Sequence, residues 1–235
     1  MAKTMTDGAR RRRALLREVD DALLMVGMLA QMLRGYVPPL VHEVMGLVLG
    51  AAVAWHVVLH RRWFAALAHG RWGVFRAVDA VLVLGCAASL TVMVVSGLLM
   101  ADLTGGFGLG LAGPARAAHL LSVHLGFVLM AAHGGWAVRV SHAAVLARRG
   151  PVSRRRRAVT WALTAVVCVA GLWAFVDLGY VGYIAGIVGF APAYAAKPLA
   201  AYLLEVLLAS VPWCCAGFSL AAALLPRRGS ASGTF

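Results

Sequence analysis

Acidic charge is scarce in this sequence: nine Asp and Glu stand against 22 Lys and Arg in 235 residues. Charge of either sign is scarce, at 13% of the chain, whereas 62% is hydrophobic. So little charge cannot cover a soluble domain, and the mean hydropathy of +0.83 is that of an integral membrane protein. Cysteine is also sparse. Cys86, Cys168, Cys214 and Cys215 all lie in apolar runs, and the absence of a Cys-x-x-Cys-His string excludes covalent c-type haem attachment. They read as small apolar residues. No stretch is left over for a flavin, nicotinamide or other soluble catalytic domain, which must then sit on another chain. The pair His42-Glu43 opens like a zinc-protease helix, but the second ligand position holds Gly46, so that chemistry is excluded too.

What is present is a series of long apolar runs. Six candidate spans cover roughly 19–35, 39–60, 78–101, 115–138, 158–178 and 198–225. The first is short and carries Asp20, Asp21, Gln31 and Arg34; it is kept because the "GYVPP" at 35–39 supplies a turn before the second. The net charge of +13 sits in clusters between runs, which is a topology signal rather than a nucleic-acid surface. With six spans, all of the 22 basic residues except Arg34, Arg116 and Lys197 fall on one side, so both termini are expected in the cytoplasm. Residues 1–18 read as a basic cytoplasmic tail, not a cleaved signal, since no short apolar core and A-x-A site follow. The expected organisation is then a four-helix core over 19–138, a basic loop at 139–157, a C-terminal helix pair at 158–225 and a tail at 226–235. "VDDALLM" at 19 and "VDAVLVL" at 78 suggest that the core is a duplicated helix pair.

Polar groups inside spans are expensive and mark function by default. Five of the eight histidines lie within the second and fourth spans, His42 and His56, then His119, His124 and His133, and His60 sits at the cytoplasmic end of the second. His42 to His56 is 14 residues, and so is His119 to His133. Fourteen residues return to within about 40° on a helix and climb about 21 Å, so each pair shares one face with one member near each membrane surface. The two spans run parallel, which sets His42 level with His119 near the outside and His56 level with His133 near the inside. Two levels with one imidazole from each of two facing helices describe two bis-histidine haem irons stacked across the bilayer. A structural zinc site would need four ligands at one level. Gly46 and Gly126 lie on the ligand faces and leave room for a ring. His60, one turn from His56, is the alternative inner ligand or a propionate partner. His124, about 140° from His119, points elsewhere; it is an alternative ligand or else a packing or quinone-contacting residue.

The pattern His42-Glu43-x-x-Gly46…His56, echoed by His119 and His133, resembles bacterial membrane b-type cytochromes. These include cytochrome b of the quinol-oxidising complexes and a small haem-binding membrane family of unassigned function. The resemblance covers 19–138 and departs at Leu120, where the second half lacks the counterpart of Glu43. It implies two non-covalent b haems and electron transfer in the bacterial inner membrane between a quinone and a redox partner on another chain. The chain would then be an electron-transfer subunit rather than a stand-alone enzyme. A ferric-reductase-like protein or the anchor subunit of a dehydrogenase or hydrogenase is the alternative. A haem-free transporter or structural membrane protein is the alternative of a different class.

Arg61, Arg139 and Arg116 flank the expected haem levels as candidate propionate partners. Asp177 and Glu205 are candidate proton relays to a quinone.

Overall fold

In lipid, a backbone without water must satisfy its own hydrogen bonds, and an unbroken apolar run does so as a helix. The computed structural model describes residues 2–69, 71–143, 153–190 and 197–225, and among these there is no strand. The helices are α1 (Ala2–Gln31), α2 (Pro39–Leu59), α3 (Arg61–Leu67), α4 (Val74–Met100), α5 (Ala112–Ser141), α6 (Arg154–Asp177), α7 (Tyr180–Ile184) and α8 (Leu199–Leu224), with a 3-10 helix at Asp102–Gly108 after α4. Five of them, α2, α4, α5, α6 and α8, are long and apolar enough to cross a membrane. The protein is therefore an all-helical, multi-pass membrane protein. The expected tail at 226–235 lies outside the described residues, as do Arg148 and Arg149 of the basic loop.

The N-terminal boundary differs from the sequence expectation. There is no break at 18–19; α1 is one helix of 30 residues that carries the basic segment and the acidic pair together. Arg, Ala, Leu and Glu favour helix, and no proline interrupts them. The same preference starts α6 at Arg154, where the Ser153 hydroxyl caps the helix by accepting from the Arg156 amide. Pro39, in the first turn of α2, sets the start of that helix.

The chain divides into two compact units. Unit 1 comprises Met1–Arg71, Leu90–Ser122 and Val188–Leu199. Within it α1 and α2 form an antiparallel hairpin: Asp20 meets His56, Gly27 faces Leu49, and Gln31 faces Gly46. The Tyr36 hydroxyl donates to the Lys197 carbonyl at 2.7 Å and ties the α1–α2 turn to the 188–199 segment. Unit 2 comprises Trp72–Ser89, Val123–Ile187 and Ala200–Phe235. Its core holds the fully buried Trp136 and Val206. Its helices approach very closely at glycines: a Cβ on Gly135 would overlap the Cys214 carbonyl, and one on Gly217 would overlap the Ala132 carbonyl. Gly171 meets the Leu208 carbonyl, which Pro212 leaves without its helical donor. Small residues that let backbones meet are the usual means of helix association in lipid.

Candidate functional site

Unit 1 brings His42 and His119 together. His42, in the first turns of α2, lies within electrostatic range of His119, Arg34 and Glu43. Its Nδ1 is buried and has no hydrogen-bond partner among the described residues. The His119 ring is held from α4. Its Nδ1 is 3.0 Å from the Met93 carbonyl and 3.2 Å from the Ser96 hydroxyl oxygen. A carbonyl only accepts, so Nδ1 carries the proton and Nε2 presents a lone pair. The Ser96 hydroxyl hydrogen is itself given to the carbonyls of Val92 and Met93. Gly97 lies against the ring; a Cβ there would stand 3.4 Å from His119 Cε1.

Glu43, beside His42, takes a role that the failed zinc motif did not suggest. Its two carboxylate oxygens accept from the amides of Asp102 and Leu103, each at 3.1 Å, and so cap the 3-10 helix after α4. The Glu43→Gln variant keeps one acceptor and loses the other. Hydrogen exchange at one of those two amides is expected to quicken about tenfold, the loss of one charge-assisted bond, while α2 remains protected. Unchanged exchange at both amides would remove Glu43 from this role.

At the other end of α2, His56 faces α1. Its Nδ1 is 2.9 Å from Asp20 Oδ2 and 3.3 Å from Asp21 Oδ1. Asp20 is 6% exposed and Asp21 is exposed. Two carboxylates draw the proton to Nδ1 and again leave Nε2 as the donor atom, the usual arrangement of a metal-bound histidine. His60 stacks on His56 with ring centroids 4.4 Å apart, and its Nε2 is buried without a hydrogen-bond partner. One ligand atom each from Asp21, His56 and His60 lie within 4.8 Å of one another. The sequence reading missed Asp20 and Asp21 as histidine partners. Their signal was present: two adjacent acids at the start of an otherwise apolar run.

The remaining candidates are dispersed. His133 is half-buried in the part of α5 that belongs to unit 2. His124 is buried in an aromatic cluster of the same unit, stacked on Tyr183 at 4.1 Å and edge-on to Tyr180 at 4.8 Å. Burial pushes the Tyr180 phenol far above its ordinary range and keeps it protonated. Gly46 faces Gln31, and the buried Gly126 faces Ser89. Arg61 and Arg116 are exposed, and Arg61 donates to the Val58 carbonyl. Arg139 is half-buried, 5.9 Å from the Phe218 ring, and its Nη1 is buried without a hydrogen-bond partner. Asp177 is exposed at the end of α6; Glu205 is half-buried on α8, in electrostatic range of Tyr180. An apolar groove of about 460 Å³ runs along α4 and the start of α5, lined by Val92, Val95, Ser96, Leu99, Leu111 and Ala118 among others. That volume suits a small ligand. Gly108, Gly110 and Gly113 have the spacing of a dinucleotide loop, but the first of them ends a 3-10 helix rather than a strand, so that motif's context is lacking.

No known protein family, curated protein or solved structure matches the chain.

Proposed function

We propose that the chain is a membrane di-haem cytochrome b that passes electrons between a quinone pool and a redox partner on another chain. In this reading it has six spans, with α1 as the first, and both termini face the cytoplasm of a bacterial cell. The observation that carries it is the state of His119: Nδ1 is committed to a main-chain carbonyl, Nε2 is left as a donor atom, and His42 lies in electrostatic range on a second helix. The donor set fits haem b. Two neutral imidazoles suit a low-spin iron, and Gly97 lets the His119 ring pack against α4.

His42 and His119 would hold the outer haem. His56 and His133, each 14 residues from an outer candidate, are the sequence's candidate ligands for the inner one. Bound haem supplies a reversible one-electron Fe(III)/Fe(II) couple. The chain's own residues orient the imidazoles: Met93 and Ser96 hold His119, and Asp20 and Asp21 hold His56. Arg34, in reach of His42, and Arg139, with an unpaired buried nitrogen, suit propionates. The apolar groove along Ser96 suits a quinone ring and tail.

Purified after expression with ample haem, the protein should give a dithionite-reduced b-type spectrum with about two haems per chain. A colourless, folded protein overturns the reading. A second reading rests on the Asp21, His56 and His60 ligand atoms: a divalent transition metal held at that end of α2. It requires stoichiometric metal in the colourless protein and loss of that metal in His60→Ala. On the haem reading, His60→Ala keeps both haems.

A further inference from the structure

Helix α1 holds its place beside α2 without the apolar surface that would explain it. It is not among the five helices apolar enough to cross a membrane. Leu15, Val19, Leu23 and Val26 are exposed along it, whereas the charged Asp20 is buried, next to Asp21. A carboxylate withdrawn from water is costly unless its charge is balanced. Both acids meet His56 near the end of α2, where His60, one turn on, stacks against the same ring. On the transition-metal reading of this cluster, on which this rests, we infer that the ion is a clasp. Asp21 of α1 and His56 and His60 of α2 hold it together, and it fixes α1 against α2.

Ligand type, spacing, charge and access agree with one another. Two imidazoles with a carboxylate suit a first-row divalent ion such as zinc, cobalt or iron(II), whereas magnesium and calcium take oxygen ligands. Ligand atoms about 2.0–2.2 Å from a tetrahedral ion stand about 3.3 Å from one another. Here they lie within 4.8 Å, so modest side-chain rotation closes the site. Asp20 stays outside the ligand set and holds the His56 ring through Nδ1 at 2.9 Å, the orienting contact usual for a metal-bound histidine. His60 brings a buried Nε2 with no hydrogen-bond partner among the described residues. Two carboxylates and two neutral imidazoles around a divalent ion sum to zero charge, so the ion offsets the cost of the acid pair. Arg17, a basic neighbour in electrostatic range of His60, is drawn onto the Leu59 carbonyl at 3.2 Å. Asp21 is exposed, which gives an ion an open approach. Three protein ligands leave a fourth position for water and keep the ion exchangeable.

The test uses the full-length protein in detergent, stripped with a chelator and titrated with Co(II), whose visible d–d bands report its ligands. About one cobalt per chain is expected by elemental analysis, displaced by zinc. At free cobalt about 100 times its dissociation constant, openings that break the site become about a hundredfold rarer. Amide exchange in α1 around Asp20 should slow accordingly, while the amides of α8 do not change. Asp21→Asn and His60→Ala should each abolish both effects. Asp20→Asn, which keeps the three ligands, should weaken cobalt binding about 10–100-fold. Cobalt bound with α1 exchange unchanged overturns the clasp and leaves the metal reading standing. A folded protein that takes up no cobalt fails that reading, and the clasp with it. Iron and cobalt are counted separately, so two haems per chain with no cobalt assigns His56 to haem and overturns the inference as well. Should His60→Ala not fold, Asp21→Asn, at an exposed position, answers the same question.

Discussion

Replacing His42 or His119 with alanine should each remove one of two haems, and the double variant should lose no more than either alone. The reason is a shared iron: once one axial imidazole is gone the site is already emptied, so the second substitution has nothing left to remove. His56→Ala should remove the other haem, and adding it to His42→Ala should leave a colourless chain. Haem per chain from the alkaline pyridine spectrum decides this, with a halving as the unit of effect. A double variant of His42 and His119 that loses everything would assign the two residues to different irons. Ser96→Ala provides the graded control. It removes one acceptor from the His119 Nδ1 proton and leaves the Met93 carbonyl in place, so haem should be retained and only the spectrum or potential should shift.

Leucine at Gly135 or Gly217 should abolish recovery of folded protein, and alanine at either should sharply lower the melting temperature in detergent. The two glycines are reciprocal. Gly135 of α5 meets the backbone of Cys214 on α8, and Gly217 of α8 meets the backbone of Ala132 on α5. An added methyl group meets main-chain atoms, so no rotamer change can relieve the overlap, and the helices must separate along a shared seam. Overpacked side-chain cores lose about 1–3 kcal/mol per site, and a backbone collision belongs at or beyond the top of that range. The alanine pair should be less than additive, because the first substitution already opens the seam that the second would strike. Gly113→Ala, with nothing within 4 Å of its added carbon, should melt like the native protein. A Gly135→Ala protein that does the same would show the crossing to be looser than these contacts require.

The apolar runs and the histidine spacing were legible because each belongs to one helix, and one-helix periodicity can be read without a partner. His124 shows this well. Its 140° offset set it apart from His119, and it lies in another environment, against Tyr180 and Tyr183. What the histidines face was less legible. Asp20 is 36 positions from His56 and meets it only because the α1–α2 turn folds one helix back on the other. In the sequence the same acids counted only against the first span. The Met93 acceptor is a main-chain carbonyl, which every residue has and no pattern can single out. Glu43 was misleading for a related reason: its neighbour is a histidine, but its partners are two amides some sixty residues away. Helix boundaries shifted where arginines continue a helix beyond its apolar part, as at α1 and α6.

The Tyr36–Lys197 bond has a consequence for biogenesis. Unit 1 holds His42 and His119, yet it also recruits Val188–Leu199, which lies beyond α6 and α7 in the chain. A ribosome makes those residues late. A nascent chain halted after α5 already has both imidazoles but lacks Lys197, so the α1–α2 turn gains this tie only after the later helices are made. Termination of the chain between α5 and residue 188 would leave the Tyr36 hydroxyl without this acceptor and the α1–α2 turn untied to the later chain.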